Sequence, residues 1–420
     1  MLIGFRCKNF RSFRDEQSLS MLAGPTKNLN DQVMNVNGFE ILKSALIFGA
    51  NGAGKSNLFK AIRLSSQIII KNRPDYGYHD VFQTMACDRS EPTLFEYEIE
   101  INGEFFRYGF ELMLDQKHVV GEWLYEIFPV ADERPMFVRH SNNTVSFEDE
   151  ITPFEEINGT LFIHNARRKD WWFGHENKNR EKIYRVQKWF WESLAVIGPN
   201  ASLLWDLEMN ESDIEGITDV VKCFDTGIVG SGFCTYALGD EPVDIVDNPR
   251  VKKDSHVKKG NYGIFRQGED GRLEAFRFKH GAASEFYVNL NEESDGTLRI
   301  MKLSPILFRD DKDCTYIIDE FDRTLHPMVV RGFLKWFLKK QYSSHKQFIM
   351  TTHNAHLLDQ ELIRRDEIWF VQKDEEGSTH LYSLDDYKVR FDKDIEKAYL
   401  EGHFRGIPDV ILPEDVDDGI

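Results

Sequence analysis

Residues 45–62 read Ala45-Leu46-Ile47-Phe48-Gly49-Ala50-Asn51-Gly52-Ala53-Gly54-Lys55-Ser56-Asn57-Leu58-Phe59-Lys60-Ala61-Ile62. The first four residues are a short apolar run, the length of a buried parallel strand. The last six are helical in period. Between them, Gly49–Ser56 fits the spacing G-x-x-x-x-G-K-[ST]. Glycines let a chain wrap so that successive N–H groups face an anion, and the helix start adds positive potential. Lys55 would neutralise the β- and γ-phosphates of ATP, and Ser56 would ligand Mg2+. The expected phosphate cradle is Gly49, Ala50, Asn51, Gly52, Ala53, Gly54, Lys55, Ser56 and Asn57.

Two later apolar runs supply the rest of a nucleotide site. Thr315-Tyr316-Ile317-Ile318-Asp319-Glu320 is a strand ending in two carboxylates. In a phosphate-loop enzyme Asp319 would hold the metal, and Glu320 would polarise the attacking water. Adjacent acids on a strand alternate in direction, so they can take separate jobs. Phe348-Ile349-Met350-Thr351-Thr352-His353 is a third strand, which would deliver His353 to the γ-phosphate. Asn291–Thr297 precedes a helix expected over 298–307. Its Ser294, Asp295 and Gly296 read either as a phosphate-binding helix start or as a simple N-cap, and alone favour the cap.

Around these motifs the chain changes character. Met1–Phe10 reads as an edge strand followed by a turn. Thr93–Ile101 alternates, turns at Asn102-Gly103 and returns through 105–114, an antiparallel meander that continues to Val145-Phe147. Residues 151–225 read as helical, and 238–272 as a mobile polar loop. Arg272–Leu290 alternates again. The last third alternates strand and helix, the mark of a parallel α/β sheet. The expected organisation is a first ATPase half at 1–130, an inserted helical or variable subdomain at 131–275, and a second ATPase half at 276–420. The fold class is α/β with an antiparallel β-meander and a mainly helical insertion.

Composition excludes several classes. The formal charge is 52 − 70 = −18, so the chain is no general nucleic-acid binder. Arg167, Arg168, Lys169, Lys178, Arg180 and Lys182 form either a solvated helix face or a local basic groove, and the solvated face is the commoner case. The five cysteines, Cys7, Cys87, Cys223, Cys234 and Cys314, contain no CxxC pair, so no zinc or disulfide framework is indicated. Trp171, Trp172, Trp189 and Trp191 read as core more readily than as a ligand platform. No signal segment or membrane span is read, which predicts a cytoplasmic protein. The acidic tail 409–420 is either a solvated end or a docking peptide, and the habits of termini favour the first.

Taken in order, the four motifs resemble the ABC-type ATPases: Walker A, signature, Walker B with a catalytic Glu, and a switch His. Asn9-Phe10-Arg11-Ser12-Phe13 resembles the opening of the RecF/SMC-related group, which implies that Arg11 and Ser12 lie near the nucleotide. Ser294-Asp295-Gly296-Thr297-Leu298-Arg299 resembles its degenerate signature, with Asp295 where the ABC pattern has Gly. Asp319–Pro327 resembles its Walker B and D-loop. Ile368-Trp369-Phe370-Val371, Tyr399-Leu400-Glu401-Gly402 and Gly406-Ile407-Pro408 resemble the end pattern of AAA15/AAA21 ATPases in bacterial defence islands. The Q-loop falls to Gln83 or Gln116, with nothing to decide between them. The resemblance implies ATP hydrolysis and an ATP-sandwiched homodimer or larger ring. It also implies an effector partner such as a TOPRIM or RloB-like nuclease, a phage protein or DNA as trigger, and no membrane. A RecF/SMC-like DNA repair or maintenance ATPase is the alternative.

Overall fold

A computed structural model describes residues 1–26, 28–71, 90–128, 132–142, 144–147, 150–153, 160–167, 180–203, 210–235, 257–260, 263–267, 272–281, 286–387 and 394–404. Cys87, Gln83, Arg168, Lys169, Trp171, Trp172, Lys178, Gly406-Ile407-Pro408 and the acidic tail lie outside the described residues.

The chain opens with β1 (Leu2–Lys8), β2 (Gln17–Ser20), β3 (Val33–Val36), β4 (Phe39–Leu42) and β5 (Ser44–Gly49), followed by α1 (Lys55–Lys71). The meander comprises β6 (Thr93–Ile101), β7 (Glu104–Met113), β8 (His118–Phe128), β9 (Asp132–His140), β10 (Thr144–Phe147) and β11 (Glu150–Pro153). Next come α2 (Arg180–Glu192), β12 (Leu194–Ile197), α3 (Glu211–Lys222), β13 (Ile228–Thr235), β14 (Val257–Gly260), β15 (Gly263–Gln267), β16 (Leu273–His280) and β17 (Phe286–Asn289). The chain continues with α4 (Asp295–Leu303), α5 (Pro305–Phe308), β18 (Cys314–Ile318), α6 (Pro327–Lys339), β19 (Lys346–Thr351), β20 (Ile368–Lys373), β21 (Thr379–Ser383) and α7 (Ile395–Leu400).

These elements form two compact units. The first comprises Met1–Val196, Lys312–Phe321 and Ser344–Ile420. It holds an eight-stranded antiparallel sheet, ordered β11-β10-β9-β8-β7-β6-β1-β2, and a six-stranded sheet, ordered β12-β18-β19-β5-β20-β21. In the second sheet β18, β19, β5 and β20 run parallel, and β21 closes against β20 antiparallel. One core runs between the sheets. Leu58, Ile62 and Ile69 of α1 pack with Phe5 of β1, with Tyr97, Phe106 and Tyr108 of the meander and with Ala45 and Ile47 of β5. The apolar stripe at helical spacing thus fixes α1 between two strand faces. The Tyr97 hydroxyl satisfies itself on Ser65 of α1 at 2.5 Å, as a buried phenol must.

The second unit comprises Ile197–Asp311 and Asp322–Ser343. Its antiparallel sheet, β13-β16-β15-β14 with β17 beside β16, carries α3. Arg309 pairs with both oxygens of Asp213, at 2.6 and 2.8 Å, and Phe224 stacks on Phe333 and Trp336 of α6.

Several local expectations change. β1 is not an edge strand, because the short polar β2 covers its free side. Within 151–225, α2 and α3 are helical, but β12 joins the parallel sheet. Within 238–272, the described residues hold the hairpin β14–β15 rather than a loop. That hairpin is stabilised by β16, a partner that local composition does not reveal. The helix expected over 298–307 starts at Asp295 and breaks at Ser304, because Pro305 lacks the N–H that would continue it.

Candidate functional site

The parallel sheet brings three strand ends together. β5 runs between β19 and β20, and β19 lies between β5 and β18. The chain leaves β5 into Gly49–Ser56, β18 into Asp319-Glu320 and β19 into Thr352-His353. The register sets Ile318 opposite Met350 and Thr351 opposite Ile47. Asp319 therefore emerges beside Thr351, and both are buried.

The side chains meet at that point. Thr351 Oγ1 donates to Asp319 Oδ1 at 2.7 Å, and Ser56 Oγ donates to the same oxygen at 3.3 Å. The Glu320 N–H donates back to Thr351 Oγ1 at 2.7 Å. One threonine hydroxyl thus ties the first acid to the backbone of the second. Glu320 sits at φ +48°, in the left-handed region that non-glycine residues seldom occupy. The separate directions of the two acids come from this turn, not from strand alternation. Phe321 N–H then donates to the Thr351 carbonyl at 3.1 Å, which secures the turn on β19.

The loop itself has the shape its glycines permit. Gly54 lies at φ +117°, and a Cβ there would stand 2.4 Å from Thr379 Oγ1, so no other residue fits. Lys55 is buried, and its Nζ donates to the carbonyls of Gly49 and Ala50 at 2.6 and 3.0 Å. The ammonium is therefore held inside the loop. Ser56 and Asp319 present two hard oxygens side by side, the donor type that Mg2+ prefers. A hydroxyl, a carboxylate, an ammonium and a glycine loop fit an ATP–Mg2+ pair.

Other expected residues fall in more varied places. His353 is exposed just past β19. Arg11 is buried at φ +51°, with its guanidinium 5.7 Å from the Phe10 ring centre. The Ser12 hydroxyl takes a hydrogen bond from Asn57 Nδ2 at 2.7 Å, so both side chains are engaged with each other behind the loop. Gln116 is exposed in the turn between β7 and β8.

In the second unit, Ser294 caps α4. Its hydroxyl accepts from Thr297 N–H at 3.1 Å and pairs with Thr297 Oγ1 at 2.8 Å. Gly296 lets the Thr324 carbonyl approach to 3.0 Å of where a Cβ would stand. His326 caps α6 by accepting from Met328 N–H at 3.2 Å, and Pro327 takes the first helical position. The Leu325-His326-Pro327 stretch is accordingly a helix start.

A family model described as "AAA domain, putative AbiEii toxin, Type IV TA system" matches residues 44–359, from the start of β5 past His353. The chain belongs to that family. Its parallel sheet with the P-loop at a strand end is an ABC-ATPase-like P-loop fold. No curated protein matches this AAA-domain chain in sequence. Among solved structures it is similar to an SMC head domain from Thermotoga maritima, with 14% identity, 91% of this chain and 98% of that one covered, and a TM-score of 0.42. An SMC head bound to the C-terminal winged-helix domain of ScpA gives 13% identity, 91% and 97% coverage, and a TM-score of 0.42. An SMC head with an extended coiled coil from Pyrococcus furiosus, bound to the C-terminal domain of ScpA, gives 12%, 96% and 99%, and 0.38. No helix among the described residues is long and apolar enough to cross a membrane.

Two details concern residues outside the site. Cys7 and Cys314 are buried, and burial pushes both thiols up, Cys314 to about 11. Neither is therefore a thiolate nucleophile. Lys182 bonds to Glu104 and Glu126, and Arg185 to Glu104, so these cations of α2 are neutralised by acids. Thr351 is the residue that sequence reasoning missed. Its signal is a hydroxyl at the end of an apolar strand next to an acid-tipped one.

Proposed function

We propose that this chain hydrolyses ATP with Mg2+, and that ATP joins copies of it into an assembly that controls a partner protein in antiphage defence. The observation that carries the hydrolysis is the bonded set Ser56–Asp319–Thr351–Glu320 beside the P-loop. Lys55 balances the charge of the β- and γ-phosphates. Ser56 and Asp319 would hold the Mg2+, which would supply positive charge to the transferred phosphoryl group. Glu320 orients the attacking water and takes its proton. His353, exposed at the neighbouring strand tip, reaches the γ-phosphate.

The assembly reading rests on Ser294, Asp295 and Gly296 lying at a helix start, the place where N–H groups serve an anion. A neighbouring copy supplies this stretch to the γ-phosphate. The defence reading rests on the family, whose description names a toxin of a type IV toxin–antitoxin system. An effector such as a nuclease is the partner class that this favours. The net charge of −18 weighs against a DNA-maintenance role.

The test is phosphate release by the purified chain, with light scattering on Glu320→Gln. Hydrolysis by wild type and an ATP-dependent dimer or ring in the variant are expected. A wild type that releases no phosphate removes the enzyme reading. A variant that stays monomeric with ATP removes the sandwich.

A further inference from the structure

Strand β21 and helix α7 follow the last chemical motif, yet both touch the P-loop. Thr379 at the start of β21 is fully buried. Its Oγ1 lies 2.9 Å from the Ala53 carbonyl and 2.7 Å from Ser12 Oγ. Its N–H donates to the Ser12 carbonyl at 2.7 Å. Ser12 in turn holds Asn57, two residues past Lys55. At the loop's other end the Tyr399 hydroxyl lies beside the Gly49 backbone. The Tyr399 ring is wedged between Phe48, at 5.9 Å, and Phe370, at 5.6 Å.

The contact at Ala53 has a geometric consequence. A trans peptide is planar, so its C=O and N–H point in opposite directions. A hydroxyl that pins the Ala53 carbonyl toward β21 therefore aims the Gly54 N–H away from it, into the loop. A glycine-rich loop has much freedom to lose on ordering. Contacts that remove that freedom beforehand strengthen binding.

We propose that Thr379, acting with Ser12, and Tyr399 are positioning residues that hold the P-loop in its anion-binding shape from behind. None of the three touches the phosphates. The proposal rests on Gly49–Ser56 being the ATP site. It gives the Tyr399-Leu400-Glu401-Gly402 stretch a task, and it places Ser12 behind the nucleotide rather than on it.

The experiment titrates the purified full chain with a fluorescent ATP analogue and Mg2+, then measures kcat and KM. Thr379→Val deletes the hydroxyl and keeps the N–H bond to Ser12. Loss of a partner for a buried carbonyl should weaken nucleotide affinity about tenfold. KM should rise by a similar factor while kcat stays within about twofold. Thr379→Ser should restore both. Tyr399→Phe should weaken affinity by about threefold. If Lys55→Ala loses ATP while Thr379→Val binds like wild type, the proposal is overturned. If Lys55→Ala itself binds like wild type, the ATP-site reading fails instead. Should Thr379→Val not fold, Tyr399→Phe decides, and unchanged affinity there overturns the proposal.

Discussion

At the strand tips of the first unit, polar side chains bond across elements. Ser56 from α1 and Thr351 from β19 meet on one oxygen of Asp319 after β18. In the second unit, the polar groups of Ser294–Thr297 bond within their own turn. The first arrangement has no local explanation, because its residues lie on separate elements and meet only at the strand tips. The second is fully explained as a helix start. A helix start alone is a capped end, and whatever further work Ser294 does must be supplied by a body outside that turn.

The largest expected break in this contrast is Glu320→Gln. Removal of a general base lowers rates by about a hundredfold or more, so phosphate release should fall by that much while equilibrium ATP binding survives. If turnover is unchanged, the acid pair is not the reacting centre. Next comes Thr351→Val, which unties Asp319 from the Glu320 peptide. Hydrogen bonds to charged groups are worth about 1.5–3 kcal/mol, so kcat should drop at least about tenfold, with Thr351→Ser close to wild type. Equal kcat values for Thr351→Val and wild type would reduce the threonine to packing.

Ser294→Ala sharpens the other side. Loss of an N-cap costs about 1 kcal/mol, visible as a lower melting temperature. If ATP-dependent assembly also disappears while each chain still binds ATP, Ser294 serves a neighbour. If melting alone changes, it is only a cap.

The smallest effect on turnover is expected at Glu367, buried beneath the start of β5, where Ser44 donates to it at 2.9 Å. Burial raises its pKa from 4.5 to about 8. Between those values the folded chain holds a proton that the unfolded chain has released. Stability should therefore fall as pH rises across that window and level off above it. Glu367→Gln should flatten the profile, as thermal melts at stepped pH would reveal. A profile with the same slope in both proteins would remove Glu367 as its source.

What could be read from the sequence was local. Gly49–Ser56 and Asp319-Glu320 announce themselves because each motif and its strand are contiguous. The turn that separates the two acids was not visible, since the left-handed backbone of Glu320 depends on Thr351 across the sheet. Thr379 and Tyr399 stand far from the loop in sequence, and only the closing of β21 onto β20 brings Thr379 to Gly54. The hairpin β14–β15 hid for the same reason, its partner β16 lying further along. Pro305 could have been weighed more heavily, because a proline inside a helical pattern is a stop signal available to any reader.

The buried amide of Gln347 gives the first unit a mechanical character. Its oxygen accepts from Leu2 N–H and the Thr315 hydroxyl, and its nitrogen donates to the carbonyls of Leu2 and Leu42, at 2.7–3.1 Å. One side chain thus rivets β1 of the eight-stranded sheet to the nucleotide-binding sheet at the end away from the phosphates. Sliding β1 along that seam would break both bonds to Leu2 together.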